Sequence, residues 1–338
     1  MRKKVDLKES RHELRRRFGL QYNVRKYRLL PRLQKAFVQL NLDQDTQKFI
    51  LYSMKNPYSA WWCWIRGSLM RYTSRYTADG ILNMSRMHVL STSQWRTILK
   101  LAIDEDSKTL LDVGAGDGFV TQSAQPLFSQ ITATESSLAL SWRLQAKGFR
   151  SICTGDLKSS PISGEKFDFV SCLNVLDRVD YPLQLLRDLK SSVKQPEGKV
   201  VLAVVLPFCP AVMGAGGSRP PKERLPVPGC CDGSKNNSWE DCINALVERV
   251  LEPEGFQVEA VSRVPYLSHG DNRRGLYSLD DAILVLSPTA DNATNGNDAV
   301  AKDDSSSQTK LSDKKDSAAK ESSNKTSSSQ SFFCEPCE

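Results

Sequence analysis

Between residues 109 and 206 short apolar runs recur, and most are followed by a stretch whose apolar positions fall three or four apart. The runs at 109–113, 130–134, 150–154, 167–173 and 199–206 read as buried strands. The last is the most apolar, as expected of a strand covered on both faces. The stretches at 119–127, 136–147 and 182–193 read as helices. Strands alternating with helices predict an α/β fold with a doubly wound, mostly parallel sheet. A Gly- and Pro-rich stretch at 207–237 interrupts the alternation and is a lid or substrate-loop candidate. Helical spacing returns at 239–251, with Ser238 as N-cap, and 256–263 and 282–286 read as closing strands around a turn.

Upstream of the alternation, Ala36, Phe37, Leu40, Phe49 and Ile50 suit amphipathic helix across 33–51. Ser91 with Gln94 forms a capping-box pattern before a helix at 95–103. Between these lie Trp61, Trp62, Trp64, Ile65, Leu69 and Met70, an aromatic cluster at helical spacing. Such a cluster reads first as packing, and Arg66, Arg71 and Arg75 beside it also suit a peripheral membrane contact. No apolar run is long enough for a transmembrane span.

Composition changes at both ends. Residues 1–100 carry 21 Lys and Arg against 6 Asp and Glu, and the remainder 25 against 33, so the net charge of +7 hides a basic front and an acidic back. The basic front suggests an acidic partner (RNA, a membrane surface or an acidic protein) or a solvated face. Residues 1–31, with Arg15, Arg16 and Arg17 at their centre, read as a basic leader, and 32–104 as a helical extension packed on the domain. The main domain is expected over 105–288, followed by a disordered Ser/Lys-rich tail over 289–338. Met1-Arg2-Lys3-Lys4 lacks the apolar segment of a secretory signal. Nine cysteines show one C-x-x-C spacing, Cys334 and Cys337, too few ligands for a zinc site; reduced thiols, an intracellular chain and no metal are expected.

The chemistry centres on Asp112-Val113-Gly114-Ala115-Gly116-Asp117-Gly118, where the first strand of the alternation breaks into a loop with glycine at every second position. Such a loop lets a ligand approach the backbone closely. The spacing differs from the G-x-G-x-x-G of dinucleotide sites, and Asp112 favours a cationic ligand over a phosphate. Glu135 ends the next strand, where an acid accepts the hydroxyls of a ribose. Beyond the fourth strand, Asn174 offers donor and acceptor to the amino-acid end of a ligand, and Asp177 suits a substrate proton. The plain alternatives are a ligand-free glycine turn and a polar turn in which Asp177 caps a helix or pairs with Arg178. His269 reads as a surface-loop residue.

The glycine loop with Glu135 resembles the S-adenosylmethionine site of the class I methyltransferases, a Rossmann-like fold with seven strands. Together with Ala133–Glu135, Cys172–Arg178, Leu206–Phe208, Arg263–Leu267 and the earlier Ala36-Phe37-Val38-Gln39, it is similar to the DREV family of methyltransferase-like proteins, over about residues 35–288. The resemblance implies cofactor contacts at Asp112, Gly114, Gly116, Glu135, Asn174 and Tyr266, and substrate contacts at Asp177 and Tyr277. It implies S-adenosylmethionine as cofactor and methylation of protein histidine at the pros nitrogen in His-x-His sequences, by a monomer. Cytoplasm is the expected compartment, with endoplasmic reticulum or mitochondrion open through the family. The chain departs from the family in its leader, its loop at 214–237, Asn272-Arg273-Arg274-Gly275 and its tail. An RNA or small-molecule methyltransferase and a non-catalytic cofactor-binding scaffold are the alternatives. Nucleic acid is disfavoured because the turn at Asn174 lacks the Pro-Pro-aromatic motif that grips a planar amine.

Overall fold

The computed structural model describes residues 11–102, 107–215, 217–229 and 237–289. The expected tail, with Cys334 and Cys337, falls in a separate unit, 291–338, outside the described residues. In chain order the elements are α1 (Arg11–Phe18), α2 (Pro31–Ala36), α3 (Gln44–Lys55), α4 (Ala60–Leu69), α5 (Arg75–Leu82), β1 (Met87–His88), α6 (Thr92–Leu99), β2 (Thr109–Val113), β3 (Gln130–Glu135), α7 (Leu138–Ala146), β4 (Arg150–Cys153), β5 (Phe169–Leu173), α8 (Pro182–Ser192), β6 (Lys199–Val205), β7 (Val212–Gly214), β8 (Gly217–Arg219), α9 (Trp239–Leu246), β9 (Phe256–His269) and β10 (Leu276–Pro288).

The main sheet runs β1-β9-β10-β6-β5-β2-β3-β4. From β6 to β4 the pairs are parallel, and β6–β10, β10–β9 and β9–β1 are antiparallel. The sheet thus has eight strands where seven were expected. The extra one is the two-residue β1, too short to leave a period-two signal. Alternate residues of the central strands feed separate cores. Leu111, Val170, Val200 and Leu202 pack on one face with Leu186 of α8 and Ile243 of α9. Leu110, Phe169, Val201 and Ala203 pack on the other with Ile50 of α3, Trp95 of α6 and Leu144 of α7. Apolar side chains on both faces oblige helices on both sides, the arrangement of a doubly wound sheet.

Four expectations change. The helix over 119–127 is instead two 3-10 turns, Thr121–Ser123 and Gln125–Leu127, because Pro126 lacks the N–H that an α-helix needs there. The described part of the basic leader belongs to the domain. Leu14, Leu20, Tyr22 and Leu29 are buried, Arg25 pairs with Glu240 of α9 at 2.8 Å, and Leu30 N–H donates to Asn244 Oδ1 of α9 at 3.0 Å. The Trp cluster of α4 is not packed: Trp61, Trp62 and Trp64 are 64%, 45% and 63% exposed. Finally, Cys209 is disulfide-bonded, whereas Cys63, Cys153, Cys172 and Cys242 are free. Its loop folds back so that Phe208 pairs with Gly229, a proximity that linear spacing does not reveal. Among the described residues no helix is long and apolar enough to cross a membrane.

The capping box at Ser91 and Gln94 forms as expected, and a second one joins Ser238 to Asp241 at the start of α9. The 207–237 stretch contains the β7–β8 hairpin. Arg219 pairs with Asp180 at 2.6 Å, and Ala211 N–H donates to the Asp177 carbonyl at 2.8 Å. Those contacts hold the hairpin beside the carboxyl end of β5.

Candidate active site

The parallel strands β2, β3 and β5 end together, and the loops leaving them form the site. The N–H groups of Gly114 and Ala115 both donate to the Thr134 carbonyl, at 2.9 and 3.0 Å, which folds the glycine loop back over β3. Gly114 has φ +72°, and a Cβ on it would lie 2.6 Å from Val175, so the loop packs directly against the turn after β5. Gly116 has φ +61° and open space where its Cβ would be, leaving its backbone facing the cavity side of the loop.

Asp112 lies beneath this loop, 4% exposed. Its carboxylate accepts from Thr121 Oγ1 at 2.6 Å and from Ser171 Oγ at 2.7 Å. Burial pushes its pKa up to about 6, against the pull of those two hydroxyls. The structure thus gives Asp112 the work of joining β2, β5 and the turn after the glycine loop. Glu135 ends β3 as expected. One of its oxygens accepts from Gly116 N–H and the other from Ser137 N–H, each at 3.0 Å. Oε1 also accepts from Ser136 Oγ at 3.2 Å, so Oε2 keeps a second lone pair for a ligand hydroxyl, and Oε1 can take one where the serine hydroxyl turns away.

Asn174 follows β5 in the left-handed region, φ +59°, which asparagine tolerates better than most residues. Its Nδ2 donates to Asp281 Oδ2 at 2.8 Å. Asn174 Oδ1, Asp177 Oδ1 and Asp281 Oδ1 are buried without a hydrogen-bond partner. Unsatisfied buried acceptors are costly and call for a cationic or N–H-bearing ligand. Burial raises the pKa of Asp177, against the neighbouring Arg178 guanidinium, whose Nε lies 3.4 Å from Asp177 Oδ1. The pairing with Arg178 left open by the sequence is therefore present, and it falls on the same Oδ1 that makes no hydrogen bond.

Arg178 in turn lies 5.3 Å from the Tyr76 ring and 6.0 Å from that of Tyr266, contacts that hold its guanidinium in place. Tyr266 is buried on β9 and donates to Met87 Sδ at 2.6 Å; burial raises its pKa to about 12. Tyr277, on the same face of the β9–β10 hairpin by register, donates to Asp271 at 3.1 Å, towards the hairpin turn. His269 is 7% exposed rather than on a surface loop. Its Nε2 meets the Asn56 carbonyl at 2.6 Å and its ring lies 4.4 Å from that of Tyr58, so it is a neutral, packed group.

The site residues missed from sequence are Asp281 and Tyr76. A signal for the first existed: Asp280-Asp281 interrupts an otherwise apolar strand. Tyr76 carries none, because its meeting with Arg178 joins segments a hundred residues apart. The unsatisfied acceptors, the open backbone at Gly116 and the Glu135 carboxylate suit a ligand with an ammonium at one end and a ribose at the other, the donor set of S-adenosylmethionine.

Comparison with known proteins gives the following. The sequence profile of the DREV methyltransferase family matches residues 22–288. A curated relative, the mitochondrial ubiquinone biosynthesis O-methyltransferase of Schizosaccharomyces pombe, is 25% identical over 152 residues; the match takes in 43% of this chain and spans about half, 50%, of that relative's length. Among solved structures, magnesium protoporphyrin IX methyltransferase of Synechocystis PCC 6803 with bound SAM is similar at TM-score 0.34 and 16% identity, covering 55% of this chain and 72% of that one. The 1,6-didemethyltoxoflavin-N1-methyltransferase of Burkholderia thailandensis, with bound 1,6-didemethyltoxoflavin and S-adenosylhomocysteine, is similar at TM-score 0.38 and 17% identity, covering 59% of this chain and 76% of that one.

Proposed function

The chain belongs to the DREV methyltransferase family, whose methyl donor is S-adenosylmethionine, and we propose that it methylates histidine side chains of proteins at the pros nitrogen, in His-x-His sequences. The observation that carries the reading is Asp177. It is a mostly buried carboxylate whose Oδ1 faces the Arg178 guanidinium at 3.4 Å, beside the Asn174 turn at the carboxyl end of β5, where its other oxygen is available to a substrate N–H. A neutral imidazole is already nucleophilic at one nitrogen, so the enzyme has to fix the tautomer rather than remove a proton first. Asp177 accepts the N–H of the far (tele) nitrogen, which leaves the lone pair on the pros nitrogen.

Bound S-adenosylmethionine supplies an electrophilic methyl group on a sulfonium. Gly116, Glu135 and Asn174 would hold that cofactor, and Tyr266 closes the site beside Arg178. As the ring gains positive charge, the Asp177 carboxylate offsets it in surroundings that exclude water. Arg178 opposes the rise that burial gives the pKa of this carboxylate. Tyr277 lies towards the hairpin turn, where it suits contact with the substrate chain. The hairpin β7–β8, held at Asp180, borders the same mouth.

A methyl-donor assay on a His-x-His peptide and its Ala variants, with the product fragmented by mass spectrometry, tests the reading. Methyl on the pros nitrogen, and a loss of about a hundredfold in rate for Asp177→Asn with cofactor affinity retained, is expected for a lost preorganised charge. Asp177→Asn turning over at the wild-type rate would remove Asp177 from this role. Methylation of RNA and not of the peptide would replace the substrate class.

A further inference from the structure

Helix α4 is inverted. Its charged residue, Arg66, is turned inward, 3.7 Å from the buried Asp79 of α5, and its tryptophans are turned outward. None of its ten residues is buried. Trp142 and Leu138 of α7 are also exposed, at 62% and 54%, and α7 adjoins α5, with Arg143 donating to the Gly80 carbonyl. Exposed aromatic side chains thus stand on both α4 and α7, the two helices that adjoin α5. From residue 54 to residue 100 the chain carries seven Lys and Arg and one carboxylate, Asp79, which is buried. Arg66 and Arg75 pair with Asp79, while Lys55 and Arg71, flanking α4 in the sequence, are exposed, and the stretch has no exposed acid.

We propose that this α4 face is a docking surface for an anionic lipid bilayer, with Trp61, Trp62 and Trp64 entering the headgroup region and Arg71 meeting the lipid charge. Tryptophan is the side chain most at home at a membrane interface, where an apolar ring and a polar N–H both find their surroundings. Cations flanking an apolar helical face add attraction to anionic lipids. A single-stranded nucleic acid fits less well: Trp61 and Trp64 stack on each other at 5.2 Å and 20°, so each covers a face that a base would need. Docking there would set the active site close to the bilayer, because α5 reaches it. Tyr76 lies against Arg178, and Thr77 bonds Ser137 at 3.1 Å, next to Glu135.

The test is co-sedimentation of the full chain with vesicles of phosphatidylcholine containing phosphatidylserine, and with pure phosphatidylcholine. Binding to the anionic vesicles, with blue-shifted tryptophan emission, is expected. Trp61→Ser with Trp64→Ser should weaken partitioning by about tenfold or more, Arg71→Glu should weaken it further, and pure phosphatidylcholine should bind poorly. These side chains are exposed, so the melting temperature and the turnover of a soluble peptide should not change. No partitioning onto anionic vesicles, or equal partitioning by the tryptophan variant, overturns the proposal. A dimer, or binding of an oligouridine, that the same substitutions abolish while vesicles bind nothing would assign the face to a second copy or to RNA.

Discussion

Asp281 accepts a hydrogen bond from the side-chain amide of Asn174 at 2.8 Å, across 107 positions of sequence and with both residues buried. Asp281 Oδ2 is the acceptor, so it draws the Asn174 NH2 towards itself and turns Oδ1 the other way, where it has no hydrogen-bond partner. Asp281 thereby acts as a positioning residue for the acceptor that Asn174 offers. Asp281→Asn, which can pair with either end of the amide, should weaken binding of S-adenosylhomocysteine by roughly tenfold. It should leave 5′-methylthioadenosine, which lacks the amino-acid end, almost unaffected. Calorimetry with both ligands checks this. Burial raises the Asp281 pKa well above the usual range, so wild-type affinity for S-adenosylhomocysteine should fall as the pH is lowered through that raised value. Equal losses for the two ligands would mean a structural role alone.

Glu135, the residue proposed to hold the ribose, ties the glycine loop to the start of α7. Glu135→Ala removes charge-assisted hydrogen bonds worth about 1.5–3 kcal/mol each, and S-adenosylhomocysteine affinity should drop at least tenfold. Glu135→Gln should also lose affinity, because its NH2 would face a backbone N–H. Unchanged affinity in the Ala variant would move the ribose elsewhere.

Asp112 sets a pH dependence of stability. With its pKa raised from 3.8 to about 6, the folded state holds the proton more tightly than the unfolded chain. Its contribution is therefore fully present below pH about 4 and is lost as the pH rises through 6. A shift of about two units corresponds to ~3 kcal/mol. Relative to wild type, Asp112→Asn should gain stability by about that amount between pH 4 and pH 8. Melting curves at both pH values give the difference, and a variant whose offset is the same at both would contradict the shift.

The N-terminal segment is part of the core. Tyr22 is 1% exposed and packs in the cluster that contains Trp95 and Ile50. Tyr22→Ala should cost about 3–5 kcal/mol, while Arg16→Gln on the exposed face of α1 should cost less than about 0.5 kcal/mol. Chemical denaturation of the two variants separates an integral segment from an appended arm, for which both would be neutral.

What the sequence by itself determined is the local part. Each central strand is an apolar run bounded by turn residues, each cap a short polar pattern, and the glycine loop a spacing that only a ligand-facing turn needs. Asp112, Gly114, Gly116, Glu135, Asn174 and Asp177 were legible because all sit at or just beyond the ends of such runs. Their position follows from strand direction alone. The tertiary structure decided everything that depends on contact between distant segments. It spent the Asp112 carboxylate on Thr121 and Ser171, set Asp281 against Asn174, brought Tyr76 onto Arg178, and drew a basic leader into the core through Leu14, Leu20 and Tyr22. It also decided that the tryptophans of α4 face outward. Helical spacing records which residues share a face, but what that face meets depends on the neighbouring elements. Here Arg66 found Asp79, and the aromatic side was left to the outside.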